Sequence, residues 1–260
     1  MPQIPLWKAC FLGALQGLTE FLPVSSSAHL VIAQQFFGMG KNGEVLLTFD
    51  VILHLGTLLA VLLFFARDLI WMIKEGKGRR LAFLLVIATL PAVVIGLGFK
   101  KEIESLFTSA TVAAGFLIVT GFLLWTTQWA RSGNTPLEAV TPKQAVGVGL
   151  SQAFAIFPGI SRSGSTIASG LFLGLTPEAA VRFSFLLSII AIAGANVLEI
   201  GSFKNGAEIF CLPSLVGLLV SFIFGLAAIR WMIGIVKRQK LYYFSWYCWL
   251  VGTVVIFLSH

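Results

Sequence analysis

Along the chain, long apolar runs alternate with short polar breaks, and the runs fall into two length classes. Six of them, at about 46–66, 81–99, 106–130, 178–198, 209–229 and 241–258, are long enough to form helices that cross a bilayer, which takes roughly 20 residues at about 1.5 Å each. Four others, at 9–22, 28–37, 144–157 and 165–175, are too short, because a 14-residue helix reaches only ~21 Å. The short runs come in two pairs, each broken by a proline and a hydroxyl cluster: Pro23 with Ser25, Ser26 and Ser27, then Pro158 with Ser161, Ser163 and Ser165. A pair of helices that enters the bilayer, turns and leaves by the same side fits each break. Irregular backbone at that depth persists only where protein or water covers it.

The two broken pairs also resemble each other. "LQGLTEFLPVSSSAHL" (15–30) and "SQAFAIFPGISRSGSTI" (151–167) share a glutamine, an apolar aromatic stretch, a proline, and serines that open the next helix. Three spanning segments follow each pair, and an odd number of crossings inserts the second copy upside down relative to the first. The expected fold is therefore an all-α integral membrane protein with six transmembrane helices and two re-entrant helix pairs in an inverted repeat. It forms a single membrane domain over 1–260, with halves at approximately 1–130 and 144–260.

Composition agrees: 57% of the residues are hydrophobic and 11% are charged, against roughly 45–50% and about 25% in soluble domains. The net charge of +7 raises the question of a nucleic-acid partner, but the basic residues sit in short breaks between apolar runs rather than on one soluble face. In the six-span topology one side collects Arg67, Lys74, Lys77, Arg79, Arg80, Arg131, Lys143, Arg182, Arg230, Lys237, Arg238 and Lys240, and the other only Lys8, Lys41, Lys100, Lys101 and Lys204. The rich side is expected to be cytoplasmic, which puts both termini outside. Cys10, Cys211 and Cys248 lie in apolar stretches without ligand spacing and read as small buried side chains. Prolines at 2 and 5 and the lack of a charged leader followed by a cleavage site argue against a removed signal peptide.

The chemistry concentrates in the two breaks. Gln16 and Glu20, four apart, share a helix face, and an amide oxygen with a carboxylate suits a hard cation such as Mg²⁺ completed by water and phosphate; a wet interface is the other reading of Glu20. Ser25, Ser26 and Ser27 read either as helix caps or as reactive hydroxyls, with His29 close enough along the helix to serve as a base. Arg162 narrows the choice. A guanidinium at membrane depth wants an anion, and two helix N-termini with unpaired N–H groups would join it in gathering phosphate oxygens, with Gly159 and Gly164 allowing backbone amides close in. Asp50 and His54, four apart on the first spanning helix, read as support for the site or for packing.

Gln16-x-x-x-Glu20 with "FLPVSSSAHL", joined to "PGISRSGSTI" about 135 residues later, resembles the undecaprenyl-diphosphate phosphatase family linked to bacitracin resistance, over essentially the whole chain. The resemblance implies a bacterial inner-membrane enzyme that removes one phosphate from undecaprenyl diphosphate and so recycles the lipid carrier for wall polymers. It implies a pocket open to the outer face, and a divalent cation, Mg²⁺ with Ca²⁺ as the alternative. By matching position, the site would comprise Gln16 and Glu20 at the metal, Ser26, His29 and Arg162 with Glu20 in catalysis, and Ser25, Ser27, Ser161, Ser163 and Thr166 at the substrate. Ser27-Ala28 stands where the family commonly has Thr-Gly or Ser-Gly, so Ala28 would be strained if that position needs a positive φ.

The implied partners are the lipid substrate, membrane lipids and, as a candidate assembly, a second copy of the chain, with no nucleic acid. The expected mechanism has Ser26 attack the terminal phosphorus while His29 takes its proton. Direct attack by water or by His29 fits the same residues. A lipid-phosphate flippase or anion transporter is the competing function, since inverted repeats with broken helices also build transporters.

Overall fold

The computed structural model describes residues 4–39, 43–131, 133–200 and 211–259. Among them the regular structure is helical: α1 Leu6–Phe21, α2 Ser26–Phe36, α3 Gly43–Phe64, α4 Ala66–Lys74, α5 Gly76–Gly98, α6 Lys100–Leu106, α7 Ala110–Thr126, α8 Pro142–Phe154, α9 Arg162–Phe172, α10 Pro177–Ile200, α11 Leu212–Lys237 and α12 Tyr243–Leu258. Among the described residues five helical stretches are long and apolar enough to cross a membrane: Leu46–Phe64, Gly76–Gly98, Ala110–Trp129, Pro177–Glu199 and Leu212–Lys237.

The sixth expected span differs. α12 has 16 residues, which gives about 24 Å of helix, because Leu241 and Tyr242 at the head of the apolar run are still in a turn. α11 instead runs to Lys237, so Arg230, expected in a loop, lies on an exposed face of that helix, where a long cationic side chain can reach out along the apolar surface. Lys41 and Lys204 lie outside the described residues. Two short helices, α4 and α6, fill what read as loops.

The four short apolar runs become α1, α2, α8 and α9, with bends at Leu22–Ser25 and Ala155–Ser161 between them. α1 lies along α11, and α8 along α5. The close approach in the first pair requires glycine: a Cβ on Gly17 would fall 2.5 Å from the Ser221 carbonyl oxygen of α11. Phe21 at the end of α1 packs edge-on against Phe185 of α10, itself against Phe65, so the first bend sits on the main apolar core. At one end of the body Arg182 pairs with Asp68 and Lys237 Nζ lies 2.9 Å from Glu178, joining the starts of α4 and α10 to the end of α11. At the other end Lys100 lies 3.7 Å from Glu199. Of the cysteines only Cys248 is buried; Cys10 and Cys211 are exposed, Cys10 near the start of α1 and Cys211 just before α11.

Candidate active site

Each bend ends in a helix N-terminus capped by serine. Ser25 Oγ accepts from Ala28 N–H at the start of α2, and Ser161 Oγ accepts from Gly164 N–H at the start of α9. Each cap is also close to a serine two residues on: Ser25 Oγ to Ser27 Oγ at 3.1 Å, Ser161 Oγ to Ser163 Oγ at 3.2 Å. The tips touch directly, since Ser163 Oγ donates to the Leu22 carbonyl at 2.9 Å. Gly159 makes the second bend with φ 106°, and a Cβ there would lie 2.2 Å from the Ala113 carbonyl oxygen, so neither the conformation nor the space admits another residue. In the first bend the strain falls on Ser25, at φ 65°, and not on Ala28, which is an ordinary helical residue.

Glu20, 7% exposed, is the centre. Its Oε1 accepts from Arg162 Nη2 at 2.5 Å, and its Oε2 accepts from Ser26 Oγ at 2.6 Å and from Gln16 Nε2 at 3.0 Å. His54 Nε2 stands 3.8 Å from the same Oε2. A cavity of about 60 Å³ opens beside them, bordered by Glu20, Ser25, Ser26 and Ser27 from the first tip and by Ser161 and Arg162 from the second. That exceeds the roughly 10–15 Å³ a single water requires. Arg162 Nη1 and Gln16 Oε1 are buried with no hydrogen-bond partner. A buried cation and a buried amide oxygen left unmatched are costly unless something else meets them. One carboxylate with an unmatched amide oxygen on the same helix face fits a hard divalent cation that takes its remaining ligands from water and phosphate.

Gln16, Glu20, Ser26 and Arg162 therefore converge, with Ser25, Ser27 and Ser161 on the cavity wall. His29 does not join them. Its Nδ1 donates to the Ser25 carbonyl at 2.8 Å and its Nε2 meets the Tyr247 hydroxyl at 2.8 Å, so the ring has no nitrogen left for Ser26. The partner of Ser26 is Glu20, because α2 starts beside the end of α1 and turns its first residue back onto that carboxylate. Ser163 is spent on joining the tips, and Thr166 donates to the Arg162 carbonyl and contacts Ser184 of α10, away from the cavity. Asp50 accepts from Gln34 Nε2 at 2.6 Å, while His54 Nδ1 donates to the Asp50 carbonyl.

Residues 9–254 match the family described as bacitracin resistance protein BacA. The chain belongs to this family. Among similar proteins, one from Methanobrevibacter smithii named undecaprenyl-diphosphatase is 44% identical, covering 95% of this chain and 95% of its own. Proteins of the same name from Carboxydothermus hydrogenoformans, 43% identical, and Alkaliphilus metalliredigens, 44% identical, cover 97% of this chain and 97% and 98% of theirs. The family extends to archaea such as Methanobrevibacter smithii, so membership alone does not assign a bacterial source.

His54, read from its spacing to Asp50 as support for the site or for packing, does stand beside Glu20. Two residues that hold the site escaped sequence reading. Tyr247, 218 positions from His29, and Thr120, which donates to the Gly159 carbonyl and accepts from Ser161 N–H, had no local signal.

Proposed function

We propose that the protein hydrolyses undecaprenyl diphosphate to undecaprenyl phosphate and inorganic phosphate. The observation that carries this reading is the contact of Ser26, Glu20 and Arg162 at the meeting point of two helix N-termini inside an apolar body. A diphosphate seated in the cavity meets Arg162, whose Nη1 is unmatched, and the N–H groups and positive dipole ends of α2 and α9. Glu20 takes the proton of Ser26 Oγ as that oxygen attacks the terminal phosphorus; the phosphorus–oxygen bond to the bridging oxygen breaks and undecaprenyl phosphate leaves. Water then opens the phosphoserine, with Glu20 returning the proton to Ser26 and inorganic phosphate departing. Catalysis is by position and charge neutralisation, the terms that dominate phosphoryl transfer. Glu20 and Gln16 would hold a divalent cation, Mg²⁺ with Ca²⁺ as the alternative. Such an ion, when bound, screens the charge of the diphosphate.

The same reading includes the two halves as an inverted repeat, α1–α2 and α8–α9 as re-entrant pairs, and a site facing outward. Two observations support that arrangement. The basic ends of α4, α10 and α11 are tied together, and an aromatic group of Trp125, Tyr242, Tyr243, Trp246 and Trp249 lies near Lys240, as at a membrane interface on the cytoplasmic side. The polyprenyl tail would rest against lipid-facing helices.

The test is phosphate release from a polyprenyl diphosphate by purified protein in detergent. Hydrolysis proceeds without a sealed bilayer and transport does not, so release of inorganic phosphate supports the reading and its absence under all divalent-cation conditions overturns it.

A further inference from the structure

His29 faces α12 instead of the cavity, and the chemistry of its two contacts is fully specified. A backbone carbonyl can only accept, so Nδ1 carries the proton it shares with the Ser25 carbonyl at 2.8 Å. In the neutral ring Nε2 is then an acceptor, and the Tyr247 hydroxyl donates to it at 2.8 Å, with the two rings 8° from parallel. The Ser25 carbonyl also receives the backbone N–H of His29 at 3.3 Å. Ser25 is the residue whose φ of 65° begins α2, and Ser26 is the next one along. One helix turn is therefore clamped from three directions: its own cap, the imidazole, and through the imidazole a hydroxyl from the last helix. Cys248, next to Tyr247, adds a weak contact to the Pro23 carbonyl at 3.9 Å.

We infer that Tyr247 is a positioning residue for the reaction at Ser26: its hydroxyl, donating to Nε2, holds the His29 ring where its Nδ1–H reaches the Ser25 carbonyl, and His29 so placed holds the strained Ser25 turn that aims Ser26 at Glu20. The inference rests on the functional reading above. Tyr247 touches neither the cavity nor Glu20, so its removal leaves substrate contacts intact. Losing one neutral hydrogen bond that supports the reactive geometry lowers turnover roughly 3- to 10-fold without changing the charge of the site.

The experiment compares the full-length protein with Tyr247→Phe in detergent, reading kcat and KM for phosphate release and the imidazole ¹⁵N signals of histidine-labelled protein. The chain has three histidines, and the His29 signals are identified by their loss in His29→Gln. Trp246→Phe, on an exposed face of the same helix, controls for general damage to α12. The expected result is a 3- to 10-fold lower kcat, an unchanged KM, and loss of the single Nδ1–H pattern of His29 in Tyr247→Phe alone. An unchanged His29 spectrum overturns the proposal, as does an altered spectrum with full kcat, and so does an equal loss of kcat in Trp246→Phe. Should the unsubstituted protein release no phosphate, the functional reading fails, while the spectra still decide whether Tyr247 holds the His29 ring in place.

Discussion

The two helix tips that meet at the cavity are built alike and do different work. At one constant offset along the chain, Gly13, Gln16, Val24, Ser25 and Ser27 of the first tip correspond to Gly149, Gln152, Ile160, Ser161 and Ser163 of the second, and both caps bond the third residue on. The same offset sets Ser26 opposite Arg162 and Glu20 opposite Ile156. The first helical position thus carries a hydroxyl in one tip and a guanidinium in the other, and only one tip has a carboxylate. Their backbones differ too: the cap is strained at Ser25, φ 65°, and relaxed at Ser161, φ −72°. Strain of this kind costs about 1–3 kcal/mol and survives where surrounding contacts over-determine it, which fits the tip proposed to react and not the one proposed to bind.

The sharpest way to break this division is to remove the charged member. Arg162→Ala should lower phosphate release by about 10³-fold or more, and because it strands the buried Glu20 carboxylate it should also destabilise the fold by about 3–5 kcal/mol, seen as a lower unfolding midpoint in detergent. Ser26→Ala removes the reactive hydroxyl and leaves the ion pair. It should cost turnover on the order of 10³-fold with little change in unfolding, and substantial residual activity would assign the attack to water instead. Thr120→Val keeps the volume but leaves the Gly159 carbonyl and the Ser161 N–H unmatched; it should destabilise the binding tip by about 1–3 kcal/mol and raise KM more than it lowers kcat. The smallest effects should have opposite signs. Ser25→Gly relieves the positive φ and should raise the unfolding midpoint while reducing turnover, whereas Ser161→Gly gains nothing from relief and should lower the midpoint, through a loss of stability of roughly 0.5–1 kcal/mol.

Much of this difference is legible in the residues. The short apolar runs, the prolines between them and the serine clusters after them locate both tips, since helix length against bilayer thickness and cap chemistry are local properties. Gln16, Glu20, Ser26 and Arg162 meet as their residue types demand, because an arginine buried in an apolar body must find a carboxylate or an anion. The role of His29 was not legible. Its neighbours along the helix make it a plausible base for a serine, but its direction is set by a tyrosine 218 positions away. The strain at Ser25 rather than Ala28 follows from how α1 and α2 meet in space. The shortness of α12 was hidden as well, since the apolar run from Leu241 opens in a turn at Leu241 and Tyr242 that only the backbone reveals.

The bracing of the tips crosses between the halves. Thr120 of α7 steadies the second tip, while Tyr247 and Cys248 of α12 steady the first. A ribosome must therefore deliver nearly the whole polypeptide before Ser26, the proposed nucleophile, has its support, so chains released early reach the bilayer without an assembled site, and fragments expressed separately need to find each other before the site forms.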